Sequence, residues 1–171
     1  YAVTKNTQNQ LGCLYAQAYG LDILSTRSFN HIGPNQAPIF VVADFCKQVA
    51  QIEKGQCEPV LRVGNLPAKR DFTDVRDVVR AYRLLADRGL SGETYNVGQG
   101  QAVSIEEILR RILALTEKTI QVETDPDRLR PVDVPVVEAD IGKLAKVTGW
   151  RPEIALNQTL RETLDYWRAR T

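Results

Sequence analysis

Methionine is absent from the 171 residues, histidine occurs once and cysteine three times. Each scarcity removes a class of function. A lone histidine (His31) with Cys13, Cys46 and Cys57, scattered without ligand spacing, makes no zinc site. Cys13 and Cys46 fall on predicted apolar faces, where a thiol packs as a small hydrophobe. We therefore expect no metal and a reducing, cytoplasmic setting. No apolar run approaches the ~20 residues that cross a bilayer, and no signal peptide is recognisable, so no membrane partner is expected. Charge of one sign is also missing. Lys+Arg 22 against Asp+Glu 21 leaves +1, which gives no footprint for nucleic acid. With no initiator methionine and a first residue inside a motif, the chain is expected to be part of a longer protein.

A phosphate-cradling glycine loop is lacking too. Gly98-Gln99-Gly100 has Val103 where a third glycine would stand, and a helix cap explains that turn better. If a dinucleotide is used, the loop that holds its phosphates lies outside these residues.

What is present is an ordinary globular composition, 43% hydrophobic and 25% charged, long enough for one domain with its own core. Chemistry begins at the first residue. In a helix, Tyr1 and Lys5 share one face, about 5–6 Å apart at their Cβ atoms. A neighbouring ammonium favours the phenolate, which suits the phenol to proton exchange with a carbonyl/alcohol pair. Taken alone, such a pair arises often by chance.

The periodicity predicts a helix from Thr4 to Tyr19 with Leu11, Leu14, Tyr15 and Ala18 inward, ended by Gly20. Residues 21–27 read as a strand and 28–38 as a loop. Because ligands sit at the carboxyl ends of strands in open α/β sheets, that loop is the expected binding wall. A helix over 39–54 carries Ile39, Val42, Cys46, Val49 and Ala50 inward. Val60 to Val63 is a short strand closed by a Gly64-Asn65 turn. The helix Val75–Arg88, capped by Thr73 or Asp74, should bury Val75, Val78, Val79, Tyr82, Leu85 and Ala86. Thr94 to Val97 is a strand. Ser104 and Glu107 form a capping box for a helix with Ile105, Ile108, Leu109 and Ile112 inward. Residues 121–124 read as an edge strand, 125–135 as a loop, and 141–148 and 158–168 as helices. Helices alternating with β-rich segments favour a parallel sheet.

Arg70, ahead of the capped helix, and Arg130, three residues before Asp133, suit a nucleotide diphosphate. Two plainer readings stay open: Arg70 pairs with a nearby carboxylate, and Arg130 is a solvated charge. Asn30 can donate and accept at the strand's end, or merely satisfy a turn. His31 could equally bond to backbone, and no proton chemistry is assigned to it.

The order of motifs carries a resemblance across essentially the whole chain. Tyr-x-x-x-Lys (Tyr1 to Lys5) opens a helix, followed by Arg-x-Phe-Asn (Arg27 to Asn30) and Gly33-Pro34. Arg-Asp-Phe-x-x-Val (Arg70 to Val75), Tyr-Asn-Val-Gly (Tyr95 to Gly98) and Gly-Trp-x-Pro (Gly149 to Pro152) come after. This resembles an extended short-chain dehydrogenase/reductase of the sugar-nucleotide epimerase/dehydratase group. Phe29 to Pro34 and Leu129 to Asp133 most resemble the GDP-4-keto-6-deoxy-D-mannose reductases. The related GDP-mannose 4,6-dehydratases typically carry Glu-Ser where Ile32-Gly33 stands here.

The resemblance implies an α/β fold: the C-terminal part of a Rossmann-type parallel sheet plus a small substrate-binding α/β subdomain. Residues 1–36 would end the dinucleotide-binding domain, and 37–171 would mainly bind the sugar nucleotide. Tyr1 would be the acid/base that protonates the C4 oxygen as hydride arrives from the reduced form of the cofactor, NADP or NAD. Lys5 would hold the nicotinamide ribose and favour the Tyr1 phenolate, with His31 at the nicotinamide end. Asn30 and the start of the next helix, around Val41, would line the sugar nucleotide. Arg70 and Arg130 would hold its diphosphate, and Asp133 its ribose. The implied partners are a GDP-sugar substrate and a second copy of the chain. The tyrosine's serine or threonine partner would lie upstream, so these residues alone are expected to be inactive.

Overall fold

The computed structural model describes residues 1–129 and 133–171. Its first helix, α1 (Ala2–Tyr19), ends at Gly20 in the left-handed conformation, φ 64°. Position C′ favours glycine there because no Cβ clashes. The packed face differs from the expected one. Leu11, Leu14 and Tyr15 are about half exposed, and no residue of α1 is buried. The half-covered positions are Asn9, Gly12, Cys13 and Ala16, a stripe with the same 3.6-residue period shifted around the helix. Small residues let the helix settle close: Gly12 lies against Ile23 and Ser25, and Asn9 bonds Thr94 at 3.1 Å. Cys13 is thus only partly covered, not buried as expected.

The strand after it, β1 (Ser25–Ser28), is shorter than residues 21–27 suggested, and runs parallel to β5 (Thr94–Val97). The expected loop contains a strand, β2 (Asn30–Ile32), parallel to β4 (Lys69–Asp74) with Asn30 opposite Phe72. β4 also pairs antiparallel with β6 (Ala102–Ser104) and parallel with β8 (Val136–Val137). These last two strands are too short to announce themselves by alternation. β3 (Val60–Val63) pairs in parallel with β7 (Gln121–Thr124), whose exposed residues fit the expected edge strand. The described residues therefore form an α/β fold with parallel pairing in each of its three sheets.

Helices α2 (Val41–Glu53), α4 (Ile105–Leu113) and α6 (Leu156–Arg168) enclose one core cluster with β3 and β4. Val42, Phe45, Val49, Leu61, Phe72 and Ile108 are among its members. Here the expected inward faces hold, except that Ile39 precedes the helix and is 84% exposed. Cys46 lies inside this cluster, and burial pushes its thiol up to about 12, against a weaker pull from Arg168. Such a thiol is inert as a nucleophile. Ser104 accepts from the Glu107 amide at 3.1 Å, but the Glu107 carboxylate turns to Arg110 and Arg111 instead of closing the box.

A second cluster joins α3 (Val75–Arg88), β5 and α5 (Gly142–Thr148) through Val78, Ala81, Leu85, Tyr95, Leu144 and Trp150. Val79, Tyr82 and Ala86 face outward, contrary to the stripe read from sequence. Asp77 takes an inward place because its carboxylate accepts the Glu153 and Ile154 amides at 3.0 and 2.9 Å. A polar residue with partners inside shifts the buried face toward itself. Trp150 is fully buried and donates its indole N–H to the Asp77 carbonyl at 3.0 Å. The Gly-Trp-x-Pro motif is therefore a dock against α3.

Between the clusters, β4 gives successive residues separate tasks. Asp71 is buried and accepts the amides of Gln99, Gly100 and Ala139 at 2.6, 2.9 and 3.1 Å. Gly98 must be glycine, since a Cβ there would meet the Ala139 Cβ at 2.4 Å and the Asp71 carboxylate at 3.0 Å. Asp74 caps α3 by accepting from the Arg76 amide at 2.8 Å, and also takes the Arg76 guanidinium and the Thr159 hydroxyl. Burial alone would raise its pKa. The hydrogen bonds from Arg76 and Thr159 outweigh burial and hold it below the ordinary 3.8. A carboxyl more acidic when folded adds stability that is complete above its unfolded value and disappears as pH falls through the folded one. The urea midpoint should therefore drop below pH 3.8, and Asp74→Asn should flatten that acid limb. An unchanged acid limb would assign the loss to other carboxylates. No helix among the described residues is long and apolar enough to cross a membrane.

Candidate active site

Tyr1 caps the N-terminus of α1, and Lys5 follows one turn later, its amide on the Tyr1 carbonyl at 3.0 Å. Helical spacing thus brings the pair together as expected. The Lys5 ammonium lies 5.8 Å from the Tyr1 ring centroid and also donates to Gln8 at 3.4 Å. Tyr1 itself is 93% exposed.

Three neighbouring hollows that share lining residues extend from this pair across the strand ends. The first, about 740 Å³, is lined by Tyr1, Lys5, Thr26, Ser28, His31 and Tyr82. The second, about 820 Å³, shares Tyr1 and His31 with it and adds Asn30, Phe40 and Val41. The third, about 400 Å³, shares Asn30, Ile39 and Val41 with the second and reaches Arg70 and Asp133. Tyr1 thus lines the first two hollows and Arg70 the third, and shared residues link each hollow to the next. Parallel pairing of β2 with β4 produces this, because it sets Asn30 two residues along from Arg70.

The side chains read from sequence take definite places. His31 is exposed on β2, with Nδ1 3.3 Å from the Phe29 carbonyl, the backbone bond left open earlier. Val41 is the first residue of α2. Arg70 and Asp133 meet directly in an ion pair, with side chains 16% and 18% exposed. Arg70 also donates to the carbonyls of Lys69 and Val134, both at 2.7 Å, while Asp133 accepts from Asn65 at 2.7 Å. Of the two readings of Arg70, pairing with a carboxylate is the one seen. It does so while lining the third hollow. Arg130 lies outside the described residues.

Sequence reasoning missed three further polar residues of the third hollow: Asp44, Asn65 and Arg128. Asn65 had a signal, since it follows β3 at the carboxyl end where ligands gather. Asp44 and Arg128 had none, because they meet across 84 residues. Among the described residues no cluster of histidine, cysteine or carboxylates could hold a metal ion.

Known proteins resemble this chain in sequence and in fold. The profile of the family described as GDP-mannose 4,6 dehydratase matches residues 1–163. The chain belongs to that family. The GDP-6-deoxy-D-mannose reductase of Pseudomonas aeruginosa is 36% identical over 170 residues, covering 99% of the chain and 56% of the relative. The GDP-mannose 4,6-dehydratase of Sinorhizobium fredii is 28% identical over 191 residues, 98% of the chain and 54% of the relative. Among solved structures, RMD from P. aeruginosa complexed with NADPH superposes with a TM-score of 0.94 at 34% identity. It is matched over 57% of its length by 100% of this chain. The UDP-glucose 4-epimerase of Thermus thermophilus in complex with NAD gives 0.83 at 30% identity, with coverages of 100% and 54%. The chain spans about half the length of these GDP-mannose 4,6 dehydratase family members and their fold neighbours.

Proposed function

We propose that this chain supplies the catalytic pair and the sugar-nucleotide groove of an NAD(P)-dependent reductase acting on a GDP-linked 4-keto-6-deoxyhexose. The observation that carries the reading is the pair of adjoining hollows that share Asn30, one lined by Tyr1 and the other by Arg70. A phosphate end and a proton-donating end separated by a sugar-sized hollow fit a nucleotide sugar. The 36% identity to a GDP-6-deoxy-D-mannose reductase supports the substrate class. A dehydratase is the second reading, favoured by the matching family profile. Ile32-Gly33 weighs against it, since the dehydratase loop motif has Glu-Ser there and Ile32 is instead buried in the first core cluster; the carboxylate that dehydration needs would lie upstream of these residues.

The residues present fit the nicotinamide-ribose end of a dinucleotide. Lys5, Ser28 and His31 bring donors and acceptors to the first hollow, beside Tyr1. When bound, the reduced cofactor, NADPH or NADH, would supply the hydride. Tyr1 then gives its proton to the C4 oxygen, and Lys5 steadies the phenolate left behind. Asn30 and Val41 line the sugar, Arg70 and Arg130 hold the diphosphate, and Asp133 meets the ribose. On this reading residues 1–36 end the dinucleotide-binding domain, with Tyr1 and Asn30 reaching the substrate, and residues 37–171 mainly bind the sugar nucleotide. Three free thiols accord with a cytoplasmic setting.

Consumption of NADPH with GDP-4-keto-6-deoxy-D-mannose tests the reading. Nucleotide binding without consumption would assign the chain to an inactive sugar-nucleotide-binding module. Arg130→Ala should raise the apparent KM for the GDP-sugar about tenfold, as loss of a charged hydrogen bond does. An unchanged KM would refute a substrate-binding role for Arg130.

The uncovered stripe of α1, with Leu11, Leu14 and Tyr15 half exposed, supports a homodimer formed through that helix. Light scattering should give twice the chain mass, and Leu14→Glu should halve it. A monomeric parent would refute the dimer.

A further inference from the structure

The diphosphate end of the groove contains two carboxylates, Asp44 and Asp133. Neither can face a phosphate, because like charges repel. Each must face hydrogen-bond donors instead. Asp133 already has them, Arg70 on one oxygen and Asn65 on the other. Asp44 is placed differently. Its Oδ2 accepts from Gln48 at 2.8 Å and from Arg128 at 2.5 Å, while its Oδ1 receives no hydrogen bond from the described residues.

The carboxylate is also fixed from behind. Gln48 accepts from the Arg62 amide at 3.0 Å and donates to the Arg62 carbonyl at 3.3 Å, which ties the first turns of α2 to β3. Arg128, from the turn Pro126–Arg128, crosses the hollow to reach Asp44. Arg128 balances the charge and leaves one oxygen aimed at no protein group. Beside it, Pro38, Ile39 and Ile105 give the hollow an apolar wall where a flat ring can lie.

We propose that Asp44 reads the base of the bound nucleotide, its Oδ1 accepting from the adjacent N1–H and exocyclic N–H of guanine. A carboxylate only accepts, and guanine is the common base that presents two neighbouring donors on that edge. Uracil and thymine present one N–H flanked by carbonyl oxygens, which an anion repels. Adenine presents an acceptor in the central place. Asp44 therefore sets the preference for a guanosine diphosphate over the pyrimidine nucleotides used elsewhere in the fold. The inference rests on the proposed use of this groove for a nucleoside diphosphate.

Isothermal titration of the protein with GDP, IDP and UDP tests it. IDP differs from GDP only by lacking the exocyclic amine. The parent protein should bind GDP about tenfold or more tightly than UDP, and several-fold more tightly than IDP, the scale of one hydrogen bond to a charged acceptor. Asp44→Asn should cost GDP about tenfold, leave UDP within about twofold and bring the GDP/IDP ratio near one. Equal losses for all three would make Asp44 a strut for Arg128 and overturn its role in base selection. Binding by the parent protein without base preference would overturn it as well, while leaving the nucleotide groove intact. No binding of any diphosphate would remove the nucleotide reading and Asp44's role together.

Discussion

Replacing Tyr1 by phenylalanine in the active enzyme is expected to lower kcat by about 10²–10⁴-fold while GDP affinity stays within about twofold. The phenylalanine keeps the ring and removes only the transferable proton. Tyr1 is 93% exposed, so no core packing is lost with the hydroxyl. Its distance from the charged end of the groove separates the two readouts. Arg70 and Asp133 line the third hollow, which Tyr1 does not touch. A parallel loss of turnover and affinity would mean that Tyr1 shapes the groove and does not exchange a proton. Lys5→Met should reproduce part of the kcat effect, as its place beside Tyr1 predicts, and should also weaken cofactor binding if the first hollow takes the nicotinamide ribose as proposed.

The second large effect concerns stability. Asp71→Ala should destabilise the fold by about 3–5 kcal/mol, because it strands buried donors that a charged acceptor had satisfied. Three amides, those of Gln99, Gly100 and Ala139, lose their partner at once. For a chain of this size the midpoint of thermal unfolding should fall by roughly 10 °C. Asp71→Asn should also destabilise, since one carboxylate oxygen becomes an NH₂ pointing at N–H groups. A loss under about 1 kcal/mol for both variants would show that water takes over the amides. The same carboxylate holds β4 straight beneath Arg70, so GDP affinity should weaken along with stability.

These expectations show what a sequence makes readable. Local chemistry was legible. Gly20 and Gly149 end their helices in the left-handed conformation, Asp74 and Ser104 cap theirs, and Tyr1 meets Lys5 by helical spacing alone. The faces of α2 and α4 followed from their period because both helices are packed on an apolar core. The faces of α1 and α3 did not. In α1 the small residues Gly12 and Ala16 face the body while the leucines stay outside, the reverse of what hydrophobicity suggests. In α3 a buried Asp77 rotates the packed stripe, and no pattern of apolar residues encodes the amides of Glu153 and Ile154 that it serves. The motif residues of the site were visible because each sits in a short run. Asp44 and Arg128 were invisible because their meeting is a product of tertiary structure.

The contact between Arg70 and Asp133 bears on how the groove empties. A guanidinium held by an internal counter-ion is never stranded when a ligand departs, because the carboxylate stands ready to receive it. Exchange at this end is then a hand-over between two anions, one belonging to the protein and one to the visitor. In the proposed use of these hollows for a nucleotide sugar, such an arrangement would weaken the resting grip on the nucleotide and shorten its stay, which would favour quick discharge of a spent sugar carrier.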